Sequence, residues 1–192
     1  MTSGSRTDRN TDDQRLTSLA LAARKGRPGD VEAFTRAAYA DVQRFLTYLT
    51  DPQSAEDLTQ ETFVRVLRSL PGFAGRSSAR TWLLSIVRRV VVDRFRAAAA
   101  RPVIADLADW RVAAERCQPR GMLGAEESVA LADLLDKVPS DRRTAFVLTQ
   151  VVGLPYAEAA EVMGCPVGTI RSRVARARDQ LISSLLEADR AA

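Results

Sequence analysis

Four arginines, Arg171, Arg173, Arg176 and Arg178, stand within eight residues in the stretch VGTIRSRVARARDQL. A guanidinium is a planar fork of donors that matches phosphate oxygens and the major-groove edge of guanine. At about 100° per residue, Ile170, Val174, Ala177 and Leu181 fall on one helix face and must pack inward. Arg171, Ser172, Ala175 and Arg176 fall on the outward arc, flanked by Thr169, Arg173 and Arg178. Small Ala175 would let the backbone approach base edges. A short helix near Pro155–Met163 precedes this one, with Gly164 suited to a left-handed helix end and Pro166 to the restart. The pattern reads as a DNA-binding helix-turn-helix. A basic run on its own is usually a solvated surface. Here the short helix, the turn and the apolar opposite face favour the DNA reading.

A second basic group lies upstream. Arg88, Arg89, Arg94, Arg96 and Arg101 oppose a single acid, Asp93, while Trp82, Leu83, Ile86, Val87 and Val90 supply the buried side. The loop before them, Ala74-Gly75-Arg76-Ser77-Ser78-Ala79, is rich in small residues and donors. Further upstream, in DLTQETF, Asp57, Gln60 and Glu61 stand at i, i+3 and i+4 and share one helix face. Solvation alone explains most such acidic clusters.

Composition removes several kinds of chemistry. The chain has no histidine, which excludes a Cys/His zinc site and a Ser–His or Cys–His pair. Cys117 and Cys165 stand far apart, outside any CxxC pattern, and read as reduced structural thiols. With scattered carboxylates and no Gly-rich phosphate loop, no metal, cofactor, small-molecule substrate or enzymatic activity is expected. The net charge is +4, with 26 Arg against 2 Lys. GC-rich coding accounts for most of that ratio, so placement carries the nucleic-acid argument. No apolar run is long enough to span a bilayer, and the polar start MTSGSRTDRNTDDQR lacks a signal-peptide core. The expected location is the cytoplasm.

The elements that must position these groups are all helical, with no strand-period alternation. Residues 1–14 read as disordered, being polar and aperiodic. A first helix carries Leu16, Leu19, Ala20 and Ala23 and stops at Gly26-Arg27-Pro28-Gly29. Asp30 is the expected cap of a second, with Val31, Phe34, Ala38, Val42, Phe45, Leu46 and Leu49 inward. A third runs over 54–70, with Leu58, Phe63, Val66, Leu67 and Leu70 inward, and a fourth over 80–99. Pro102, Pro119, Gly121 and Gly124 interrupt residues 101–125, which read as a linker. Helical period returns with Leu131, Leu134, Leu135 and Val138; a helix over 140–152, capped by Ser140, leads to the helix-turn-helix. The expected architecture is all-α: domains at 15–100 and 126–188 joined by a flexible tether, with a tail at 189–192. Their mutual orientation is expected to be set by a partner.

At this point the chain resembles the extracytoplasmic-function (ECF) sigma factors of bacterial RNA polymerase, in the sigma-70 family. AEDLTQETFVRVL is similar to sigma region 2.2, SSARTWLLSIVRRVVVDRFR to regions 2.3–2.4, and LADLLDKVPSDRRTAFVLTQVVGLPYAEAAEVMGCPVGTIRSRVARARDQL to region 4. The resemblance covers about residues 15–185 in order, and within the family it is to the actinobacterial sigma-C type. It implies that Asp57, Gln60 and Glu61 dock on the β′ clamp coiled coil of core RNA polymerase. It implies that Arg76, Ser77, Ser78, Arg80, Trp82, Arg88, Arg89 and Arg96 capture and open the promoter −10 element. Thr169, Arg171, Ser172, Arg173, Arg176 and Arg178 would read a GGAAC-like −35 element, with the β flap as a further polymerase contact. The loop at 74–79 would pocket a base flipped from the non-template strand. Arg89 stands where many relatives have Asn, so the −10 preference cannot be copied from them. Pro155 replaces a common Ser cap, removing one donor at a small stability cost.

Two other readings stay open at the level of residues: a stand-alone helix-turn-helix regulator and a nucleic-acid enzyme. DLTQETF argues against the first, the missing acid–base or metal cluster against the second. An anti-sigma factor is a further expected class of partner. The terminal Ala191-Ala192 resembles the end of a tag read by the ClpXP protease, and turnover by that route is an expectation to set beside an arbitrary Ala-rich tail.

Overall fold

The computed structural model describes residues 4–99 and 125–191, with side chains for 9–51, 53–97, 130–187 and Arg190. Eight α-helices are seen among them: α1 (Gly4–Ala23), α2 (Pro28–Thr47), α3 (Pro52–Ser69), α4 (Ala79–Ala99), α5 (Ala125–Asp136), α6 (Ser140–Phe146), α7 (Tyr156–Met163) and α8 (Val167–Ala191). No strand occurs among the described residues. The expected linker lies almost wholly outside them.

The first bundle is α1–α4. Helix α2 packs against α1, α3 and α4, and α3 closes on α4. The apolar positions of α2 recur every three or four residues, and Phe34, Ala38, Val42, Phe45 and Leu46 are fully buried. They meet Leu83, Leu84 and Val87 of α4 and Val66 of α3 in one core. Asp51 caps α3, its side chain accepting from the Ser54 N–H at 2.8 Å, and Pro52 supplies the preset first-turn φ.

Several expectations change at helix ends and faces. Helix α1 begins at Gly4, so most of the span expected to be disordered is helical. The reason is tertiary: Asp13 is partly buried beside Arg80, and Thr17 Oγ1 accepts the Ala79 N–H at 2.9 Å. Asp30 does not cap α2; Pro28 starts that helix one turn early, and Asp30 takes Arg27 Nε at 2.7 Å. Ser140 likewise gives no side-chain cap, the N-cap position being Pro139. Leu67 turns outward at 40% exposure. The helix expected over 140–152 loosens into one π turn, Val147–Val151, closed by Val152 N–H reaching back to Val147 O at 2.9 Å. Helix α8 runs on to Ala191, so a separate tail is not seen there; Ala192 lies outside the described residues.

The second bundle gathers α5, α6 and α7 around α8. Leu135, Val138, Ala145 and Leu148 bury against the inner face of α8. The two bundles touch, because α7 packs on α4. Gly153, just before α7, meets Arg9 of α1 with φ +82°, and a Cβ there would come 2.6 Å from Arg9 Nη1. The positive φ favours glycine there, while the guanidinium tip of Arg9 is free to move aside.

Candidate nucleic-acid interface

Helix α7 ends as its sequence demands. Gly164 adopts φ 62°, Cys165 N–H bonds Ala160 O at 3.1 Å, and Gly164 N–H bonds Glu161 O at 3.2 Å. These two bonds satisfy the carbonyls of a helix end through a left-handed residue. Pro166 then occupies the cap position of α8, its carbonyl accepting from Thr169 and Ile170. Pro155 caps α7 with no side-chain acceptor, and its carbonyl takes the Ala159 N–H at 2.9 Å.

The inward face of α8 is the expected one. Ile170 and Ala177 are fully buried, and Val174 and Leu181 nearly so. Truncating Ile170 to Ala would cost about 2–5 kcal/mol. This packing fixes the rotation of α8, so Arg171, Ser172, Ala175 and Arg176 all face solvent. Arg171 and Arg176 make no hydrogen bond or ion pair with another described residue. The other two arginines are held. Arg173 pairs with Asp141 at 2.6 Å and donates to Cys165 Sγ at 3.7 Å, while Arg178 donates to Gln150 Oε1 at 3.3 Å. Arg173 thus ties α8 to α6, a role that helix periodicity could not show.

In the first bundle, Phe73 and Trp82 meet with ring centroids 4.8 Å apart, and Phe34 lies 6.5 Å from Trp82. Beside this pair, Gly72, Phe73, Ala74, Arg76, Ser77 and Trp82 line an open cavity of about 220 Å³. Ser78 is the cap of α4: its Oγ accepts the Thr81 N–H at 3.1 Å. Arg80 is not a free cation. Its Nε bonds Asp41 Oδ2 at 2.8 Å, with Asp13 at 3.9 Å. Burial raises the Asp13 pKa, offset in part by Arg80, with Glu158 and Asp41 raising it further. Arg89 and Arg96 are exposed and Arg88 is half-buried. The α4 cap is itself covered: Glu158 of α7 accepts from Ser78 Oγ at 3.1 Å and from Thr81 Oγ1.

Asp57, Gln60 and Glu61 are exposed together on α3. Val64 at 47% and Leu67 at 40% exposure continue the same stripe. Sequence reasoning left Val64 unassigned and turned Leu67 inward; the outward apolar pair beside an acidic patch is the signal that was missed. Arg65 bridges Glu61 at 2.5 Å and Asp93 of α4 at 2.6 Å, and its bond to Asp93, ahead of that to Glu61, raises its pKa.

Two helical bundles, the second carrying a helix-turn-helix with free arginines, form the architecture of a DNA-reading protein. The sigma-70 region 2 family matches residues 31–101, and the sigma-70 region 4 family matches residues 128–181. The chain is 49% identical over 173 residues to the probable RNA polymerase sigma-C factor of Mycobacterium bovis, covering 90% of this chain and 92% of that one. It is 32% identical over 180 residues to the ECF RNA polymerase sigma-E factor of Haemophilus influenzae, covering 88% and 95%. Among solved structures it resembles CnrH in complex with the cytosolic domain of CnrY (TM-score 0.67, 27% identity, 90% of this chain and 97% of that one). It also resembles the sigma factor RpoE in complex with the anti-sigma factor NepR from Bartonella quintana (TM-score 0.68, 26% identity, 83% and 98%). The chain belongs to the ECF group of sigma-70 family RNA polymerase sigma factors, and is an alternative, promoter-directing sigma factor. No helix among the described residues is long and apolar enough to cross a membrane.

Proposed function

We propose that the chain divides promoter recognition between its two bundles, at 15–100 and 126–188. Arg171, Ser172 and Arg176 enter the major groove of the −35 element. Thr169, Arg173 and Arg178 flank them, Arg173 keeping the helix seated. The observation that carries this reading is the pair of unpartnered guanidiniums on a helix whose opposite face is buried. Bidentate pairing of arginine with guanine specifies sequence; arginines on the helix flanks hold phosphates.

The 220 Å³ cavity is the pocket for a base of the −10 non-template strand. Arg76 and Ser77 supply donors, and the Phe73–Trp82 pair supplies an aromatic wall for stacking. Capturing the unstacked base offsets the cost of melting. Arg88, Arg89 and Arg96 take the strand's phosphates. Ser78 and Arg80 act indirectly, as the cap of α4 and its tie to α2 through Asp41. Asp57, Gln60 and Glu61, joined by Val64 and Leu67, bind the β′ clamp of core polymerase, and the second bundle meets the β flap. The chain makes and breaks no bond, works in the cytoplasm, and is open to an anti-sigma factor, as its relative RpoE is.

The test is run-off transcription with core polymerase on a promoter carrying a GGAAC-like −35 element. Transcript should require the chain and vanish with Arg171→Ala/Arg176→Ala or Gln60→Ala/Glu61→Ala. Duplex binding without polymerase, and no transcript, would favour the stand-alone regulator.

A further inference from the structure

We propose that the cavity between α1, α2 and the second bundle is a binding site for a compact polyanion of the oligophosphate class. The cavity holds about 580 Å³, within the usual range for small-molecule sites. Its lining includes five arginines, Arg9, Arg15, Arg36, Arg44 and Arg80, against Asp12 and Asp41; Glu32 beside Arg36 and Asp13 beside Arg80 offset two more, and the local balance stays positive. Ala33, Ala37 and Ala40 of α2 line the space between the charged residues, and their short side chains leave it open.

The arginines are not equally committed. Arg80 is held by Asp41, and Arg36 pairs with Glu32. Arg15 and Arg44 make no ion pair or hydrogen bond with another described residue. Arg44 Nε is shielded from solvent and has no acceptor at all. A buried donor left unsatisfied is costly, more so when it is charged. An acceptor-rich anion resting in the cavity would pair with the guanidiniums of Arg15 and Arg44, two lining cations without a carboxylate partner among the described residues. An apolar ligand would leave both unpaired.

Because Val152 helps line the cavity and Arg9 approaches Gly153, an occupant touches both bundles. Binding would therefore favour the arrangement in which α7 covers the α4 cap.

The experiment is isothermal titration calorimetry on the full chain at about 0.15 M salt, where loose surface attraction is screened. Inorganic tripolyphosphate is one probe and ATP the other. Saturable one-site binding is expected. It should weaken at least about tenfold with Arg15→Gln/Arg44→Gln, since bonds to charged groups are strong ones. It should recover in part with Arg44→Lys, and stay unchanged with Arg171→Gln/Arg176→Gln. Tighter binding of ATP would assign the ligand as a nucleoside polyphosphate, and tighter tripolyphosphate as the inorganic chain; either supports the site. Absence of saturation, or equal weakening by the α8 variant, would overturn it. Circular dichroism checks folding, and exposed Arg15→Gln alone carries the comparison if Arg44→Gln unfolds the chain.

Discussion

Ser78 Oγ lies 3.1 Å from Glu158 Oε2, a hydrogen bond between residues 80 positions apart that ties the cap of α4 to the helix-turn-helix. Thr81 Oγ1 donates to the same carboxylate oxygen. Glu158→Ala removes that shared acceptor and leaves two hydroxyls that water can satisfy. The bundles should separate more readily, seen as a longer distance between fluorophores on α4 and α7. Affinity for a single-stranded −10 oligonucleotide should rise about five- to tenfold, as bonds to a charged group imply once solvation is discounted. Unchanged distance and affinity would show that apolar packing alone holds α7 on α4.

Arg171 and Arg173 stand two residues apart yet should fail differently. Arg171→Ala should cost about 1–3 kcal/mol of −35 binding and relax preference at one base pair, with no change in Tm. Arg173→Ala loses the Asp141 ion pair, which is partly exposed, so it should lower stability by less than about 1 kcal/mol. A double-mutant cycle with Asp141→Ala separates the two roles. Coupling near zero would return Arg173 to the DNA surface.

Val64 and Leu67 extend the Asp57, Gln60 and Glu61 stripe with apolar surface. An aspartate placed in such a surface would be buried without a partner on binding, which is costly. Val64→Asp should therefore weaken core polymerase binding by about 2 kcal/mol or more while leaving Tm unchanged, as measured by competition against a labelled sigma factor. Wild-type affinity would place the polymerase contact on another face.

Asp13 gives a pH-dependent term. Its folded pKa is raised above 3.8, so the folded state holds that proton more tightly than the unfolded chain. The sign follows: this term costs stability at neutral pH, and the cost is relieved as pH falls through the raised folded pKa towards 3.8. Asp13→Asn should raise Tm at pH 7, and the gain should shrink steadily below the raised value. A gain independent of pH would point to packing rather than charge.

The core was legible because helices announce their buried faces. The recurrence of Phe34, Ala38, Val42, Phe45 and Leu46, and of Ile170, Val174, Ala177 and Leu181, sets all nine on inward faces, and all nine are buried. The outward position of Arg171 and Arg176 follows from the same arithmetic. What the sequence hid depends on partners far along the chain. Residues 4–14 look aperiodic because the neighbours of Asp13 and Thr17 come from α4. Arg173 looks like its neighbours until Asp141 is brought beneath it by the packing of α6 on α8. Glu158 is an ordinary surface acid by spacing, and only the meeting of α7 with α4 gives it donors. Leu67 misled because three- and four-residue spacing fits both edges of a helix's apolar arc.

Arg65 has one further meaning. By pairing with Glu61 on α3 and Asp93 on α4, it adds an exposed tie to the buried core that already joins the surface proposed to meet polymerase to the helix proposed to follow the opened strand. Those two surfaces then move as one piece, and the gap between them is a fixed length. On that proposal the first bundle would act as a ruler anchored at one end to the enzyme. Natural variation in promoter spacing must be absorbed outside that ruler, between the bundles, while the distance from enzyme to melted base stays constant from promoter to promoter.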